Sequence, residues 1–349
     1  MEYKIGLVGC GTVGRGFLEI LLNKGPALRD SHGFEARLVA VSDKIKGSLL
    51  VPEGIDLRKL LAVLEEGRDL GAYPGGRSAK DKPLEPLDMI EQCNADIIAE
   101  LTTTDIKTAE PATGYIQKAL RSGKHVVTSN KGPAALHYQE IKKLAGQNNR
   151  AFRIEGTVMS GTPVFSLFES GLSGNEVREV KGILNGTTNF ILSKMEEDGM
   201  DYAPALKLAQ KLGYAEADPF ADVEGFDALA KIVILSNVLM AASLKPSDIT
   251  PQGISRISRQ DILQAKKENC RYKLIAQAKK EGDKVTAGVS PQKIPLSDPL
   301  AGVMGAHNAL TFDLDLLGKV TISGPGAGKI ETGYAILSDV LAIHRQYGK

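Results

Sequence analysis

The chain has 349 residues, of which 42% are hydrophobic and 24% charged, and its 43 basic and 42 acidic residues leave a net charge of +1. This length is enough for two domains of ordinary size, and the composition is that of a globular protein. Lysine and arginine are interleaved with aspartate and glutamate, without the basic stripe that a nucleic-acid-binding surface shows. We therefore expect a small-molecule substrate and no nucleic-acid partner.

The most apolar run, residues 232–244, is shorter than the roughly 20 residues that span a bilayer. The N-terminus lacks the basic region and cleavage site of a secretory signal. Cys10, Cys93 and Cys270 lie far apart with no CxxC spacing, which predicts neither a disulfide framework nor a zinc site. We expect a cytoplasmic protein without a membrane partner.

The first 160 residues alternate between apolar strand-like runs and helical patterns. A strand at 5–8, a glycine loop, a helix at 15–23 and a strand at 36–41 form one βαβ unit. Further strands are predicted at 97–101, 126–128 and 152–154, with helices at 108–121 and 136–147. This alternation predicts a doubly wound parallel sheet. The proline-rich span 43–86, with one helix at 57–66, is interpreted as an excursion from that sheet.

The pattern changes after about residue 155. Turns rich in glycine, serine and threonine lead into a helix-rich stretch at 189–280, a β-like stretch at 284–322 and a last helix at 333–345. The predicted fold is α/β, with an N-terminal Rossmann-type doubly wound parallel sheet and an α+β substrate and dimerisation domain. We place the dinucleotide-binding domain at 1–154, completed by 329–349. The substrate domain is placed at 155–328, with its helix-rich catalytic part at about 173–293.

The glycine loop has the pattern GxGxxG and reads Gly9-Cys10-Gly11-Thr12-Val13-Gly14. The first glycine permits a tight turn, the second allows the backbone to approach a pyrophosphate, and the third allows the helix to pack on the strand. A pyrophosphate is favoured at a helix N-terminus, where unpaired N–H groups point outward. The position of this loop between a strand and a helix predicts dinucleotide binding.

The end of the second strand carries signals for both nicotinamide cofactors. Asp43 is suited to accept from the ribose 2′-hydroxyl of NAD, whereas Lys44 and Lys46 are suited to pair with the 2′-phosphate of NADP. Ser42 stands at the expected strand end and serves either cofactor. The sequence leaves NAD or NADP open, with a slight preference for NADP.

Asp227 and Lys231 lie four residues apart in a helix predicted at 226–242, on the same helix face. Such a pair is either a solvated surface pair or a partly buried one. The apolar run that follows Lys231 favours partial burial, which makes its ammonium group available as a proton carrier.

Six segments taken together resemble the homoserine dehydrogenases. They are Gly9–Gly14, His125–Lys131, Gly182–Phe190, Leu212–Pro219, Gly225–Lys231 and Gly324–Gly328. The resemblance implies the interconversion of L-homoserine and L-aspartate 4-semialdehyde with NAD(P), in threonine, methionine and isoleucine biosynthesis. It also implies a homodimer. The chain lacks the aspartokinase and C-terminal ACT segments of some members, so we expect a monofunctional enzyme without that form of feedback control.

The resemblance also implies roles for individual residues. Lys231 is expected to donate a proton to the aldehyde oxygen, with Lys131 as a second lysine near the reacting carbon and the cofactor. Glu216 and Asp227 are expected to hold the α-amino group of the substrate, since an ammonium group requires anionic partners.

Four more residues match family positions around the cofactor. They are Thr102, Thr103, Gly213 and Gly328. A further set matches the family's monovalent-cation loop, in which one carboxylate and three carbonyl oxygens would bind Na⁺. It comprises Glu155, Val158, Ser160 and Thr162.

Two other hypotheses remain open at this point. One is another NAD(P)-dependent amino-acid-semialdehyde oxidoreductase, such as aspartate-semialdehyde dehydrogenase, which requires a thiolate nucleophile. None of the three cysteines has a setting suited to that role, and Cys10 lies within the glycine loop. The other is a non-catalytic NAD(P)-binding regulator, which has no use for this set of lysines and carboxylates.

Overall fold

The computed structural model describes residues 1–74, 77–78 and 84–348. It divides into two compact units. The first comprises Met1–Gly161 and Gly328–Lys349, and the second comprises Thr162–Ala327.

The first unit is built on a sheet with the strand order β4-β3-β2-β1-β5-β6-β7. Its strands are β1 (Glu2–Val8), β2 (Glu35–Asp43), β3 (Gly47–Leu50), β4 (Arg77–Ser78), β5 (Ile97–Glu100), β6 (His125–Thr128) and β7 (Phe152–Arg153). The five strands β2, β1, β5, β6 and β7 are parallel neighbours. The predicted parallel sheet of Rossmann type is thereby confirmed.

The span 43–86 is only partly an excursion. Strands β3 and β4 extend the same sheet as antiparallel neighbours. The chain reverses direction after β2 ends at Asp43, so β3 pairs with β2, and β4 then pairs with β3. This part of the interpretation was wrong, since the short apolar run at residues 49–51 was overlooked beside the prolines. Residues 75–76 and 79–83 of the span lie outside the described residues.

Helices connect the strands of the first unit. They are α1 (Thr12–His32), α2 (Leu57–Glu65), α3 (Pro86–Gln92), α4 (Ala112–Arg121), α5 (Lys131–Leu136) and α6 (Tyr138–Gln147). Helix α1 extends well beyond the predicted 15–23 and ends at Gly33, whose φ of 60° is the left-handed conformation typical of a helix end. Its buried face, which includes Phe17 and Leu18, packs in one core with β1 and β2.

The second unit combines an antiparallel sheet with helices. Its helices are α7 (Phe165–Gly171), α8 (Gly186–Glu197), α9 (Tyr202–Lys211), α10 (Phe220–Val223), α11 (Phe226–Leu239) and α12 (Arg259–Lys267). Its strands are β8 (Val177–Ile183), β9 (Cys270–Glu281), β10 (Lys284–Pro295), β11 (His307–Leu314) and β12 (Gly318–Pro325), in the order β10-β9-β8-β11-β12. The end of the predicted helix-rich stretch was wrong, because residues 270–281 form β9 and pair with β10 along their whole length.

After the second unit the chain returns to the first as α13 (Lys329–Tyr347). This helix crosses α1 closely, since a Cβ atom at Gly333 would lie 2.6 Å from the backbone nitrogen of Phe17. Ile336, Val340 and Ile343 of α13 join the same buried core as Phe17. The first unit is therefore completed by a segment that follows the second unit in sequence.

Candidate active site

The glycine loop at the end of β1 has the geometry that its motif requires. Gly9 has a φ of 91°, and a Cβ atom there would lie 2.5 Å from the carbonyl oxygen of Leu101. A Cβ atom at Gly14 would lie 2.8 Å from the carbonyl oxygen of Gly9, so the third glycine allows α1 to pack against the loop. Apart from its chain neighbours, no atom of the described residues lies within 4 Å of a Cβ atom placed on Gly11, the residue that precedes α1. The loop therefore leaves open space at the helix N-terminus, where an anion binds.

Asp43 is the last residue of β2, and its carboxylate faces the glycine loop. It accepts the backbone N–H of Cys10 at 2.8 Å and those of Ile45 and Lys46 at 3.0 and 3.1 Å. Burial opposes ionisation of this group, but these three hydrogen bonds and the Lys46 ammonium outweigh it and lower the pKa of Asp43. The Lys46 ammonium in turn donates to the carbonyl oxygen of Cys10 at 2.9 Å. An ionised carboxylate is thus fixed where a ribose hydroxyl is expected.

Thr102 follows the end of β5 and Lys131 follows the end of β6, and the two ends are linked by Asn130, whose side-chain amide donates to the carbonyl oxygen of Thr102 at 3.4 Å. Thr102 donates its backbone N–H and its hydroxyl to the carboxyl of Glu100, the last residue of β5. Lys131 is the first residue of α5, whose N-terminus is capped by the side chain of Asn130. Thr103 is exposed beside Thr102. Sequence analysis missed Glu100 because it treated residues 97–101 as a uniformly apolar strand.

In the second unit, Lys231 and Asp227 form an ion pair with an Nζ to Oδ2 distance of 2.7 Å. The two side chains are 10% and 15% exposed, so the pair is largely withdrawn from solvent. The surrounding helix α11 is buried on every face from Ala228 to Asn237. The Lys231 ammonium also donates to the carbonyl oxygen of Leu184 at 2.7 Å. Two of its three N–H groups are thus used within the protein.

A second carboxylate, Asp222, lies next to this pair. The side-chain amide of Asn185 donates to Asp222 at 2.7 Å and to Asp227 at 3.0 Å. Burial raises the pKa of Asp222, and the charge of Asp227 raises it further. Asn185 also caps α8, since its side-chain oxygen accepts the N–H of Thr188 at 2.9 Å. Sequence analysis did not assign Asp222 or Asn185 to the site, although Asn185 stands in the segment 182–190 and Asp222 lies between the segments 212–219 and 225–231.

Comparison with known proteins identifies the family. A model described as homoserine dehydrogenase matches residues 163–341, and one described as the homoserine dehydrogenase NAD-binding domain matches residues 9–155. The chain belongs to the homoserine dehydrogenase family. The predicted family and activity are confirmed, and the chain is an NAD(P)-dependent oxidoreductase.

Individual relatives cover the whole chain. The NAD(+)-dependent homoserine dehydrogenase of Pseudomonas canavaninivorans is 45% identical over 345 residues, which cover 99% of this chain and 97% of that protein. A solved homoserine dehydrogenase from Thiobacillus denitrificans is 32% identical with a TM-score of 0.83, covering 100% of this chain and 74% of its own. A hyperthermophilic archaeal homoserine dehydrogenase in complex with NADPH is 29% identical with a TM-score of 0.82, covering 99% of each chain.

The family segment 212–219 lies between α9 and α10. Gly213 has a φ of 78°, which ends α9 and turns the chain. Tyr214 then packs on Phe190 of α8, with ring centroids 4.7 Å apart, and its carbonyl oxygen accepts the hydroxyl of Thr187 at 2.5 Å. Glu216 follows in this anchored segment and is exposed. Its carboxylate is therefore accessible to a ligand.

The residues matching the family's cation loop are all buried. Glu155, Val158 and Ser160 belong to the first unit and Thr162 to the second. The Glu155 N–H donates to Asp339 at 2.8 Å, and the Ser160 and Thr332 hydroxyl groups lie 2.8 Å apart. Among the described residues, no group of three or more histidine, cysteine, aspartate and glutamate side chains is placed to hold a metal ion.

The structure also bears on the thiolate hypothesis and on the role of His125. Burial raises the pKa of the Cys10 thiol to about 11, so it is protonated at neutral pH and unsuited to nucleophilic attack. Burial lowers the pKa of His125 to about 4, and its Nδ1 accepts the N–H of Ala151 at 3.0 Å. His125 is therefore a neutral structural residue. None of the described helices is long and apolar enough to cross a membrane.

Proposed function

We propose that Lys231 exchanges the proton of the substrate oxygen during the interconversion of homoserine and aspartate 4-semialdehyde. The observation that carries this proposal is the hydrogen bonding of its ammonium group, which uses two N–H donors on Asp227 and Leu184. The third donor remains for a substrate oxygen. A nicotinamide cofactor held by the first unit would supply or accept the hydride. The Lys231 ammonium stabilises the negative charge that develops on the oxygen and then protonates it.

We further propose that carboxylates of the second unit hold the substrate's α-amino group. Asp222 and Asp227 both accept from the amide of Asn185, and Lys231 pairs with Asp227, so these side chains carry one more negative than positive charge when both carboxylates are ionised. That excess favours a cationic ligand group. Glu216, exposed in the anchored segment after α9, is assigned to the same ammonium.

The cofactor is assigned to the first unit. We place the pyrophosphate at Gly9, Gly11, Thr12, Val13 and Gly14. The open space at Gly11 supports this assignment. At the carboxyl ends of β5 and β6 we place Thr102, Thr103 and Lys131 at the nicotinamide end, with Lys131 as the second catalytic lysine. The remaining family positions assigned to the cofactor are Gly213 and Gly328. We also keep the domain division predicted from the sequence. It consists of a dinucleotide-binding domain of residues 1–154 with 329–349 and a substrate domain of residues 155–328.

Between the two cofactors we propose that NAD is preferred. The Asp43 carboxylate is held ionised at the end of β2, which suits a 2′-hydroxyl and repels a 2′-phosphate. Lys46 directs its ammonium to the carbonyl oxygen of Cys10, which supplies part of its hydrogen bonding. Ser42 is buried and Lys44 exposed. These contacts favour NAD, whereas the sequence alone slightly favoured NADP.

A monovalent cation and a second copy of the chain complete the proposal. Na⁺ would take the Glu155 carboxylate and the carbonyl oxygens of Val158, Ser160 and Thr162, an all-oxygen set with a single charge. Replacing sodium chloride by tetramethylammonium chloride is expected to lower the thermal midpoint of unfolding, and Glu155→Gln is expected to remove that difference. We also propose a homodimer through the second unit, whose strand β12 has no buried residue. Sedimentation equilibrium tests the dimer.

The proposed function is tested with purified protein and L-homoserine, by following the absorbance of the reduced nicotinamide. Turnover is expected with both NAD⁺ and NADP⁺ and a higher kcat/KM with NAD⁺. L-serine, which is one methylene shorter, serves as the control substrate and is expected to be oxidised poorly. Absence of homoserine turnover with either cofactor would contradict the proposal.

A further inference from the structure

The carboxyl group of Glu100 is fully buried at the carboxyl end of β5. Its Oε1 accepts the backbone N–H of Thr102 at 2.9 Å and the hydroxyl of the same residue. Its Oε2 lies 2.9 Å from the hydroxyl oxygen of Thr128, the last residue of β6. In the part of the chain that the structure describes, every hydrogen-bond partner of this carboxyl is uncharged. Burying an ionised carboxylate without a cationic partner costs free energy. The role of Glu100 therefore depends on whether its carboxyl is protonated.

The hydrogen bonds around Thr128 indicate the protonation state of Glu100. Its hydroxyl oxygen accepts the N–H of Asn130 at 2.9 Å and lies 2.7 Å from the carbonyl oxygen of Glu100, which only accepts. The hydroxyl has one proton, and the carbonyl contact uses it. The contact with Glu100 Oε2 is then fully satisfied when Oε2 carries a proton and donates to Thr128. Burial also raises the pKa of Glu100, more than the hydrogen bonds from Thr102, Thr128 and Asn130 lower it.

Glu100 connects four parts of the first unit. The Thr102 nitrogen that it holds lies against the glycine loop, since a Cβ atom at Gly9 would be 2.8 Å from that nitrogen. Thr128 holds the backbone of Asn130, and the side chain of Asn130 accepts the N–H of Gly132 and so caps α5. The carboxyl thus joins the glycine loop, the ends of β5 and β6, and the start of α5.

This location corresponds to one half of the expected cofactor position. In a doubly wound sheet the dinucleotide lies outside the carboxyl ends of the strands where the strand order reverses, here between β1 and β5. Asp43 marks the adenosine half at the end of β2, so the nicotinamide half falls on the side of β5 and β6. An ionised Glu100 would place an uncompensated buried charge close to the loop that binds an anionic pyrophosphate.

We propose that Glu100 is a positioning residue that acts as a neutral carboxylic acid and holds Thr102 and Asn130 in the geometry that the nicotinamide half of the cofactor requires. The inference rests on the proposed function, because that function places the cofactor at this edge. Glu100 touches neither the reacting atoms nor the pyrophosphate in this scheme. It acts through the residues that it holds.

Two substitutions distinguish a neutral Glu100 that holds its neighbours by hydrogen bonds from an ionised Glu100 and from a side chain that only fills space. Glu100→Gln keeps an oxygen for the Thr102 donors and supplies an N–H that donates to Thr128, so kcat and the Kd of NADH are expected to stay within about threefold of wild type. Glu100→Leu fills the space without hydrogen bonds. It is expected to lower kcat and raise the Kd of NADH by about tenfold or more, with the KM of homoserine changed by less than about threefold.

The matched control is Lys124→Met. Lys124 is also buried in the first unit, at the other end of β6, and donates to the carbonyl oxygens of Cys93 and Ala95. Its substitution is expected to lower stability towards urea without changing kcat or the Kd of NADH. If Lys124→Met affects these two constants as strongly as Glu100→Leu does, the effect of Glu100 is general destabilisation and the proposal is overturned.

An infrared difference spectrum of wild type minus Glu100→Gln provides a readout independent of turnover and of the Leu variant's folding. The carbonyl stretching band of a protonated carboxylic acid is expected in wild type and absent in the variant. A carboxylate band instead, or a Glu100→Gln variant with a tenfold loss of kcat, overturns the neutral acid. A wild-type protein that binds NADH but does not oxidise homoserine rejects the proposed function alone, because the Kd and infrared results still decide the role of Glu100.

Discussion

Replacing Lys231 by methionine removes one ammonium group and retains a side chain of similar length. If Lys231 is the proton carrier, kcat for homoserine oxidation is expected to fall by about 10² to 10⁴-fold, the usual contribution of general acid–base catalysis. The Kd of NADH is expected to remain close to the wild-type value, because the glycine loop of the first unit is unchanged. The loss therefore falls on turnover and not on cofactor binding.

The same substitution has a cost in stability that follows from the ion pair. Removing one partner of a buried pair costs about 3 to 5 kcal/mol. The side chains of Lys231 and Asp227 retain 10% and 15% exposure, so we expect the lower end, about 3 kcal/mol at pH 8. The cost arises because Asp222 and Asp227 remain as two carboxylates joined by the amide of Asn185, without the Lys231 charge that pairs with Asp227 in the wild type.

The pH dependence of this cost has a definite sign. The pKa of Asp222 is already raised by burial and by Asp227, and loss of the Lys231 charge raises it further. Between the unfolded and the folded pKa the native state binds more protons than the unfolded state, so the free energy of unfolding decreases as pH rises. The Lys231→Met variant is therefore expected to be less destabilised at pH 5 than at pH 8. Adding Asp227→Asn is expected to restore stability at pH 8 without restoring turnover.

The measurements are kcat from the absorbance of the reduced cofactor and urea unfolding at the two pH values. Lys181→Met is the control, because Lys181 pairs with Asp298 at 2.9 Å in the same unit, with both side chains 22% exposed. It is expected to leave kcat unchanged. The reasoning is refuted if Lys231→Met lowers kcat by less than about tenfold, or if Lys181→Met lowers it equally.

Three further substitutions test the cofactor site and the packing of the second unit. Asp43→Asn is expected to raise the Kd of NAD⁺ relative to that of NADP⁺ by about tenfold or more, as for loss of a charge-assisted hydrogen bond, and an unchanged ratio would show that this loop does not select the cofactor. Gly11→Ala is expected to leave urea stability unchanged, since its Cβ meets none of the described atoms within 4 Å, and to raise the Kd of NADH measured by fluorescence; unaltered binding would contradict the pyrophosphate position. Gly326→Ala places a methyl group against the buried side chain of Asn308 and is expected to cost about 1 to 3 kcal/mol in urea unfolding, whereas Gly302→Ala, in open space, is expected to cost less.

The parts of the fold that sequence predicts well are those with local signals. The strand, glycine loop and helix around Gly9 are such a case, because turn geometry and periodicity point to one structure. Strand β9 is the opposite case. Its run of alanine, glutamine, lysine and glutamate favours a helix locally. All twelve of its residues pair with β10, and this pairing outweighs the local helix preference. Its buried Lys273 is held by Asn189 at 2.9 Å, a contact between distant parts of the chain.

The same distinction applies to the site. Asp227 and Lys231 are four residues apart, so helical periodicity alone predicts their pairing. Asn185 comes from the N-terminus of α8 and meets Asp222 and Asp227 only through tertiary packing. Glu100 is hidden for a related reason, because a carboxyl in an apolar strand reveals its partners only when the neighbouring strand is in place.

The return of α13 to the first unit has a consequence for synthesis on the ribosome. The core around Phe17 requires Ile336, Val340 and Ile343, which emerge about 320 residues later. The second unit is continuous from Thr162 to Ala327 and its residues are all available before α13 is made. During translation the apolar face of α1 therefore lacks its contacts with α13 while the whole second unit is synthesised. The nascent first unit is expected to depend on chaperones, and a released chain that ends at Ala327 is expected to combine a protease-sensitive first unit with a folded second unit.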